Sequence, residues 1–541
     1  MMHSLRPSSL FRPSSRPTSP APAPPSAPPR LEMIGPADRA RPLTKLSLTN
    51  FRRPSPVLAP SPAPAIAITQ DGSYLDVLGL RLSEAVSKAL AQPTGPAAVN
   101  EQLNGKRPVP SGRGQALGAL IATELKASHD NPHLRKAILR CLQRPLSTLL
   151  TNLSANLLPL LSSAAFTSPP APTPQNPSLN PTQSHALALA NFAGELLETF
   201  DELGLSLEND PRGDGLKATR DSLASIVNRV VKPLAAGIRD DLVGLISGLE
   251  ITPANYNGLT GAPSKTTATA KVGSAQYPSI TALQTVMPVY ARTFTRLFVT
   301  SASQSHLATI LISLVWHGLV TLAYRVPSPI TPPTSPASAP KKVRSTTPPT
   351  TPPSSRFILK LPPSRPPSPP GLRCVPPTLA DAKMLHELLR TLPRPSEKEA
   401  TRLAREAVDD AFDGLRALVA LLESVQANNS AKTPDELSKE LGIVSADMPA
   451  LVALPVLLHT YVFPVLSSDS PRSVAAVIGL SEEQYRQGCL TGFGRADECT
   501  VAVGQRVLDF LRREPATSIN PYAAAVVQWL EVEVTSAAVS P

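Results

Sequence analysis

The chain has 541 residues, 63 of them proline, roughly twice the usual share, and only 4 % aromatic. The formal charge of +11 is uneven: residues 1–60 hold nine Lys/Arg and two acids, 327–380 hold seven and none, and 381–541 hold 15 against 22. A surplus carried by tails and linkers does not support a rigid basic face gripping phosphates, so specific nucleic-acid binding is not expected. Loose electrostatic attraction of those linkers to RNA or anionic lipid is the contact such charge allows.

Proline cannot continue a helix, and it concentrates at 1–64, 168–181 and 327–377. The Leu- and Ala-rich stretches between favour helix over sheet. The expected fold is mainly α: two irregular helical-bundle blocks separated by long Pro/Ser/Thr-rich disordered segments. The boundaries are a basic tail at 1–70, a helical block at 71–326 with loop insertions near 167–182 and 251–277, a basic linker at 327–378, and an acidic helical block at 379–541.

In chain order, Leu75, Leu78, Leu82, Ala85 and Ala89 mark one face of a first helix over 73–92. A second follows the turn at Gly112-Arg113-Gly114 and reaches Ser128. Asn131-Pro132 reads as an N-cap with proline in the first turn, opening a helix that Pro145 should kink or restart. Helical periodicity continues over 184–207 and 215–249. In the acidic block, Ser396 and Glu399 match a capping box, as do Thr433 with Glu436 and Ser481 with Gln484. Asn520-Pro521 begins the last helix. Ala404, Val408, Ala411, Leu415, Leu418, Leu422 and Val425 form three heptads of apolar seam. Leu403, Phe412, Val419 and Leu421 widen that face, which fits a helix of an intramolecular bundle better than a dimeric coiled coil.

Two uncharged runs test a membrane reading. Leu307–Tyr324 approaches the length of a span, with Arg292 and Arg296 on one side and Arg325 on the other. Ser303, Gln304, Ser305, His306, Ser313 and His317 add polar cost in lipid. Met448–Ser468 contains Pro449, Pro455, Pro464 and His459. Both read as core helices.

Catalytic motifs are missing from the sequence. His129 and His133 stand four apart as metal pairs do, but Pro132 lies between them and no third ligand has fitting spacing. Four cysteines, at 141, 374, 489 and 499, are too scattered for a disulfide framework. Asp497 and Glu498 beside Cys499 disfavour its thiolate. Gly492-Phe493-Gly494 and Arg212-Gly213-Asp214 read as turns. Neither an enzyme nor a cofactor is expected.

The linkers carry linear-motif chemistry instead. Candidate proline-directed or basophilic phosphorylation sites are Ser55, Ser328, Thr331, Ser335, Thr347, Thr351 and Ser368. Pro25, Pro28 and Arg30, and separately Lys360, Pro363 and Pro366, fit the two orientations of ligands for Src-homology-three domains. Phe357, Leu359, Lys360 and Leu361 belong to an apolar island, 356–361, suited to docking a partner groove, adding a strand to a sheet edge, or packing back on its own domain. Pro340-Lys341-Lys342-Val343-Arg344 resembles a nuclear-import signal or a solvated basic linker. The first 31 residues lean toward a mitochondrial presequence in composition, but Pro7, Pro13, Pro17 and Pro20 would break its helix.

The first functional reading is a cytoplasmic, non-enzymatic scaffold or adaptor that binds other proteins through helical surfaces and linear motifs. The nucleus is its second location. The alternatives are a helical membrane-tethering or trafficking subunit and an integral membrane protein with a span near 307–324.

Overall fold

The computed structural model describes residues 69–94, 102–167, 172–205, 216–250, 278–325, 377–427, 433–466 and 470–539. Among these the protein is mainly α, with seventeen helices and no strand. The first eight are α1 (Thr69–Ala89), α2 (Arg113–Ala127), α3 (Pro132–Leu161), α4 (Ala164–Thr167), α5 (Pro181–Glu202), α6 (Lys217–Ser247), α7 (Pro278–Leu297) and α8 (Ser301–Ala323). The others are α9 (Pro377–Arg390), α10 (Arg402–Ala427), α11 (Pro434–Ser445), α12 (Ala450–Leu457), α13 (Val474–Val477), α14 (Glu482–Cys489), α15 (Phe493–Arg513), α16 (Pro515–Ile519) and α17 (Pro521–Val539).

Side-chain caps account for several starts. Asn131 accepts from the Leu134 N–H at 3.1 Å, and Asn520 accepts from the Tyr522 N–H at 2.9 Å. Reciprocal boxes close at Thr433 with Glu436 and at Ser481 with Gln484. A further box, Asn180 with Gln183, starts α5 three residues before the helix expected from Ser184. The box expected at Ser396 and Glu399 does not form. The Ser396 N–H and hydroxyl both donate to Gln304 Oε1, at 2.8 and 2.9 Å, so this serine binds a distant helix. Glu399 pairs with Arg402 instead. α3 runs unbroken across Pro145, which is buried on the same face as Leu142, Leu146 and Leu149. Burial on that face offsets the missing N–H that was expected to interrupt the helix.

Two carboxylates on α5 cap other helices from the side. Glu195 accepts from the N–H groups of Gly112, Gly114 and Gln115 at 2.8, 2.9 and 3.3 Å, which fixes the start of α2. Glu198 accepts from the Ser301 N–H at 2.7 Å and its hydroxyl at 2.8 Å, which fixes the start of α8. Between these anchors α2 approaches α5 closely. A β-carbon at Gly118 would lie 2.1 Å from Thr199 Oγ1, and one at Gly114 would lie 2.3 Å from the Phe192 carbonyl oxygen.

α8 packs against α6 on one side and α10 on the other, and it also meets α5, α9 and α12. Helices before and after the 327–378 stretch therefore contribute to one continuous core. The heptad seam of α10 is used inside the chain: Val408, Ala411, Leu415 and Leu418 are buried, as are Phe412 and Leu421. Leu403 does not belong to that face and is 72 % exposed. Trp529 of α17 is buried and donates to Ser445 Oγ at 3.0 Å, tying the last helix to α11.

Two glycine substitutions should shift stability in opposite directions. Gly118→Ala forces a β-carbon into Thr199 and is expected to lower stability by about 1–3 kcal/mol. Gly237→Ala, in α6 with nothing within 4 Å of the added carbon, should raise it by roughly 0.5–1 kcal/mol through helix propensity. Chemical denaturation of both variants checks the pair.

Candidate functional site

Polar side chains inside the body gather where the C-terminal end of α8 meets the later helices. The Trp316 indole donates to the Leu490 carbonyl at 2.8 Å and packs on Phe493, with ring centroids 4.8 Å apart. The Tyr324 hydroxyl donates to the Leu451 carbonyl at 3.1 Å and lies 2.7 Å from the Tyr485 hydroxyl. Burial pushes both phenols well above their ordinary pKa, so they stay neutral and serve as hydrogen-bond groups. Arg486 next to them makes two bonds to Glu250, at 2.9 and 2.5 Å, and one to Glu482 at 2.9 Å. Its guanidinium also sits 5.5 Å from the Tyr324 ring centroid. One residue further along, Arg325 pairs with Asp381 of α9 at 2.6 Å, the two side chains being 3 % and 6 % exposed. Burial raises the Asp381 carboxyl, against the pull of the arginine.

Each of these groups is engaged by a segment distant in sequence, so the cluster joins separate parts of the chain. Two thiols lie beside it. Burial, with Cys499 nearby, pushes the Cys489 thiol up to about 11. Little thiolate forms there at neutral pH, which makes Cys489 a weak nucleophile.

The outer side of α3 differs. This 30-residue helix contains no Asp or Glu and carries Arg135, Lys136, Arg140 and Arg144. Lys136, Arg140 and Arg144 recur at steps of four and are exposed, opposite the buried Ile138, Leu142, Leu149 and Leu153. None of the three forms an ion pair among the described residues. α1 packs alongside, with Cys141 Sγ 3.6 Å from the Leu75 carbonyl oxygen. α1 exposes Val77 and Leu80, at 62 % and 73 %. Summing charge by region hid this basic face, because acids of α5 and α6 offset it in the count. The readable signal was a long helix with Arg and Lys four apart and no acid. A second exposed feature is a groove of about 650 Å³ along α6, lined by Asp221, Ser225, Asn228, Arg229 and Lys232 among others.

The residues singled out in the linkers lie outside the described residues: Ser55, Ser328, Thr331, Ser335, Thr347, Thr351 and Ser368, the proline motifs at 25–30 and 360–366, and Phe357, Leu359 and Leu361. The Arg212-Gly213-Asp214 turn lies outside them as well. Of the histidine pair, His129 is exposed beside Asp130, its Nδ1 3.3 Å from that carboxylate, and His133 is exposed in the first turn of α3. Gly492 stands in extended backbone at the N-cap of α15, while Phe493 and Gly494 form the first turn of that helix, so only the first glycine of Gly492-Phe493-Gly494 lies between helices. α8 is long and apolar enough to cross a membrane by length and composition, and 67 % of its apolar window is buried inside the protein. Comparisons with family models, curated proteins and solved structures found no match to this chain.

Two outcomes follow from the buried groups. Tyr485→Phe removes one hydroxyl of the Tyr324 pair and should cost about 1–2 kcal/mol in denaturant unfolding. His459, edge-on to Phe463 with centroids 5.0 Å apart, has its pKa lowered by burial despite the pull of Glu482. A lowered folded value means its contribution is complete above its ordinary value of about 6.5 and is lost as pH falls through the folded value. Melting curves between about pH 7.5 and 5 should therefore decline more for the unaltered chain than for His459→Phe.

Proposed function

We propose that the chain is a non-enzymatic helical scaffold or adaptor of the cytoplasm, and that the outer face of α3 docks an acidic surface of a protein partner. The observation that carries this reading is the row Lys136, Arg140 and Arg144, exposed and without ion pairs among the described residues, on a helix free of acids. Long-range attraction to an acidic patch raises encounter rates and fixes orientation. A helix packed along its whole length presents those charges in one geometry, which lowers the entropy cost of docking. Interior polar groups, by contrast, are spent on bonds between distant segments of the chain such as Trp316 to Leu490 and Arg486 to Glu250.

Phosphorylation of the Ser/Thr-Pro sites would tune this attraction, since each phosphate adds a charge of roughly −1.5 to −2. Such groups could cancel the basic linkers or compete for the α3 face.

A membrane-tethering role is the second reading. It draws on the same cations and on Val77 and Leu80, which α1 exposes next to α3. Its weakness is that Asp76 and Glu84 share α1 with them. An integral span through α8 has less support, because Leu307, Leu311, Leu314 and Leu319 are already covered by protein.

Affinity capture of the full chain, beside a K136E/R140E/R144E variant, at low and high salt tests the scaffold reading. The expected result is a partner subset lost at high salt and lost in the variant, with affinity at least ~10-fold weaker. The same partners at every salt concentration, in both proteins, would sink it. Binding to phosphatidylserine vesicles that disappears in the variant, with unchanged protein partners, would favour the tether.

A further inference from the structure

We infer that residues through Arg325 and residues from Pro377 onward are complementary halves of one core, so that a chain cut between them persists as a stable two-fragment complex. This inference does not rest on the scaffold reading.

Its basis is the way the two halves meet. The surface presented by α7 and α8 is a docking surface, and its occupant is a segment of this same chain, 377–539. Apolar contact comes first. α10 lies along α8, and α9 lies across α7 and α8, close enough that a β-carbon at Gly318 would fall 2.9 Å from Leu385 Cδ2. Polar bonds cross the same boundary at both ends of α8. At its start, Gln304 Oε1 accepts both Ser396 donors, and Lys398 Nζ stands 3.9 Å from Glu198. At its end, Trp316 reaches Leu490, Tyr324 reaches Leu451 and Tyr485, and Arg486 grips Glu250 of the first half.

Arg325 and Asp381 complete the join. They sit immediately before and shortly after the 326–376 interval, so their contact brings the two ends of that interval together. Removing one member of a guanidinium–carboxylate pair buried this deeply is costly, because the other then lacks its counter-charge in the interior. Covalent continuity through 326–376 then adds an effective concentration to an interface that these contacts already close. Apolar burial together with these bonds outweighs that contribution.

The test uses the full chain with a site-specific protease sequence inserted after Pro340. It is cut after folding and followed by size exclusion, native mass spectrometry and circular dichroism. The expected result is co-elution of both fragments at the mass of the uncut protein with unchanged helicity. Separate elution, loss of helix or aggregation on cutting would overturn the inference. Asp381→Ala, prepared in the same cleavable chain, isolates the clasp. Its uncut form should remain folded, while the cut form dissociates on the order of a hundredfold more readily than the cut parent. If the cut variant holds together as tightly as the cut parent, the ion pair has no part in the join.

Discussion

Covering α8 is the constraint from which the rest of the architecture follows. From Ser301 to Ala323 this helix has no charged residue, and it is apolar around most of its circumference. One amphipathic neighbour can shield only one stripe of such a helix. α6 covers one side and α10 another, while α5, α9 and α12 cover further parts of it. Each buried leucine contributes roughly 1.5–3 kcal/mol relative to exposure, so leaving α8 half covered would be expensive. Segments far apart in sequence are drawn together by that demand.

Polar groups near α8 then decide how the surrounding helices are oriented. Apolar contact alone tolerates rotation and sliding, whereas a carboxylate reaching an N-terminal amide fixes both ends of the contact. Glu195 and Glu198, one turn apart on α5, place the starts of α2 and α8 in this way. Gly114 and Gly118 allow the close approach that such caps require. At the far end of α8, the Tyr324–Tyr485 pair and the Arg325–Asp381 pair do the same for α14 and α9. Charges buried in this manner favour one arrangement over its neighbours.

Local features of the fold were legible in the sequence because local chemistry encodes them. Asn131-Pro132, Thr433 with Glu436 and Ser481 with Gln484 mark helix starts through bonds within four residues, and all three form. Ser396 with Glu399 has the same letters and fails, since Gln304 offers a partner 92 positions away that no local pattern reveals. Leu403 has the right hydrophobicity for the α10 face but the wrong angle on the helix. The basic side of α3 escaped a regional charge sum, because a sum has no direction and a helix face does. The linker motifs concern residues outside the described set, so the fold adds nothing to them.

Both tryptophans of the chain are buried, and they occupy different neighbourhoods. Trp316 hydrogen-bonds across the boundary between the halves, while Trp529 bonds Ser445 within the later helices. Their fluorescence therefore reports on two places at once: a red shift from Trp316 signals opening of the seam, and one from Trp529 signals fraying of the C-terminal helices. Replacing either indole by phenylalanine would turn the protein into a single-site optical gauge of the order in which its parts come undone.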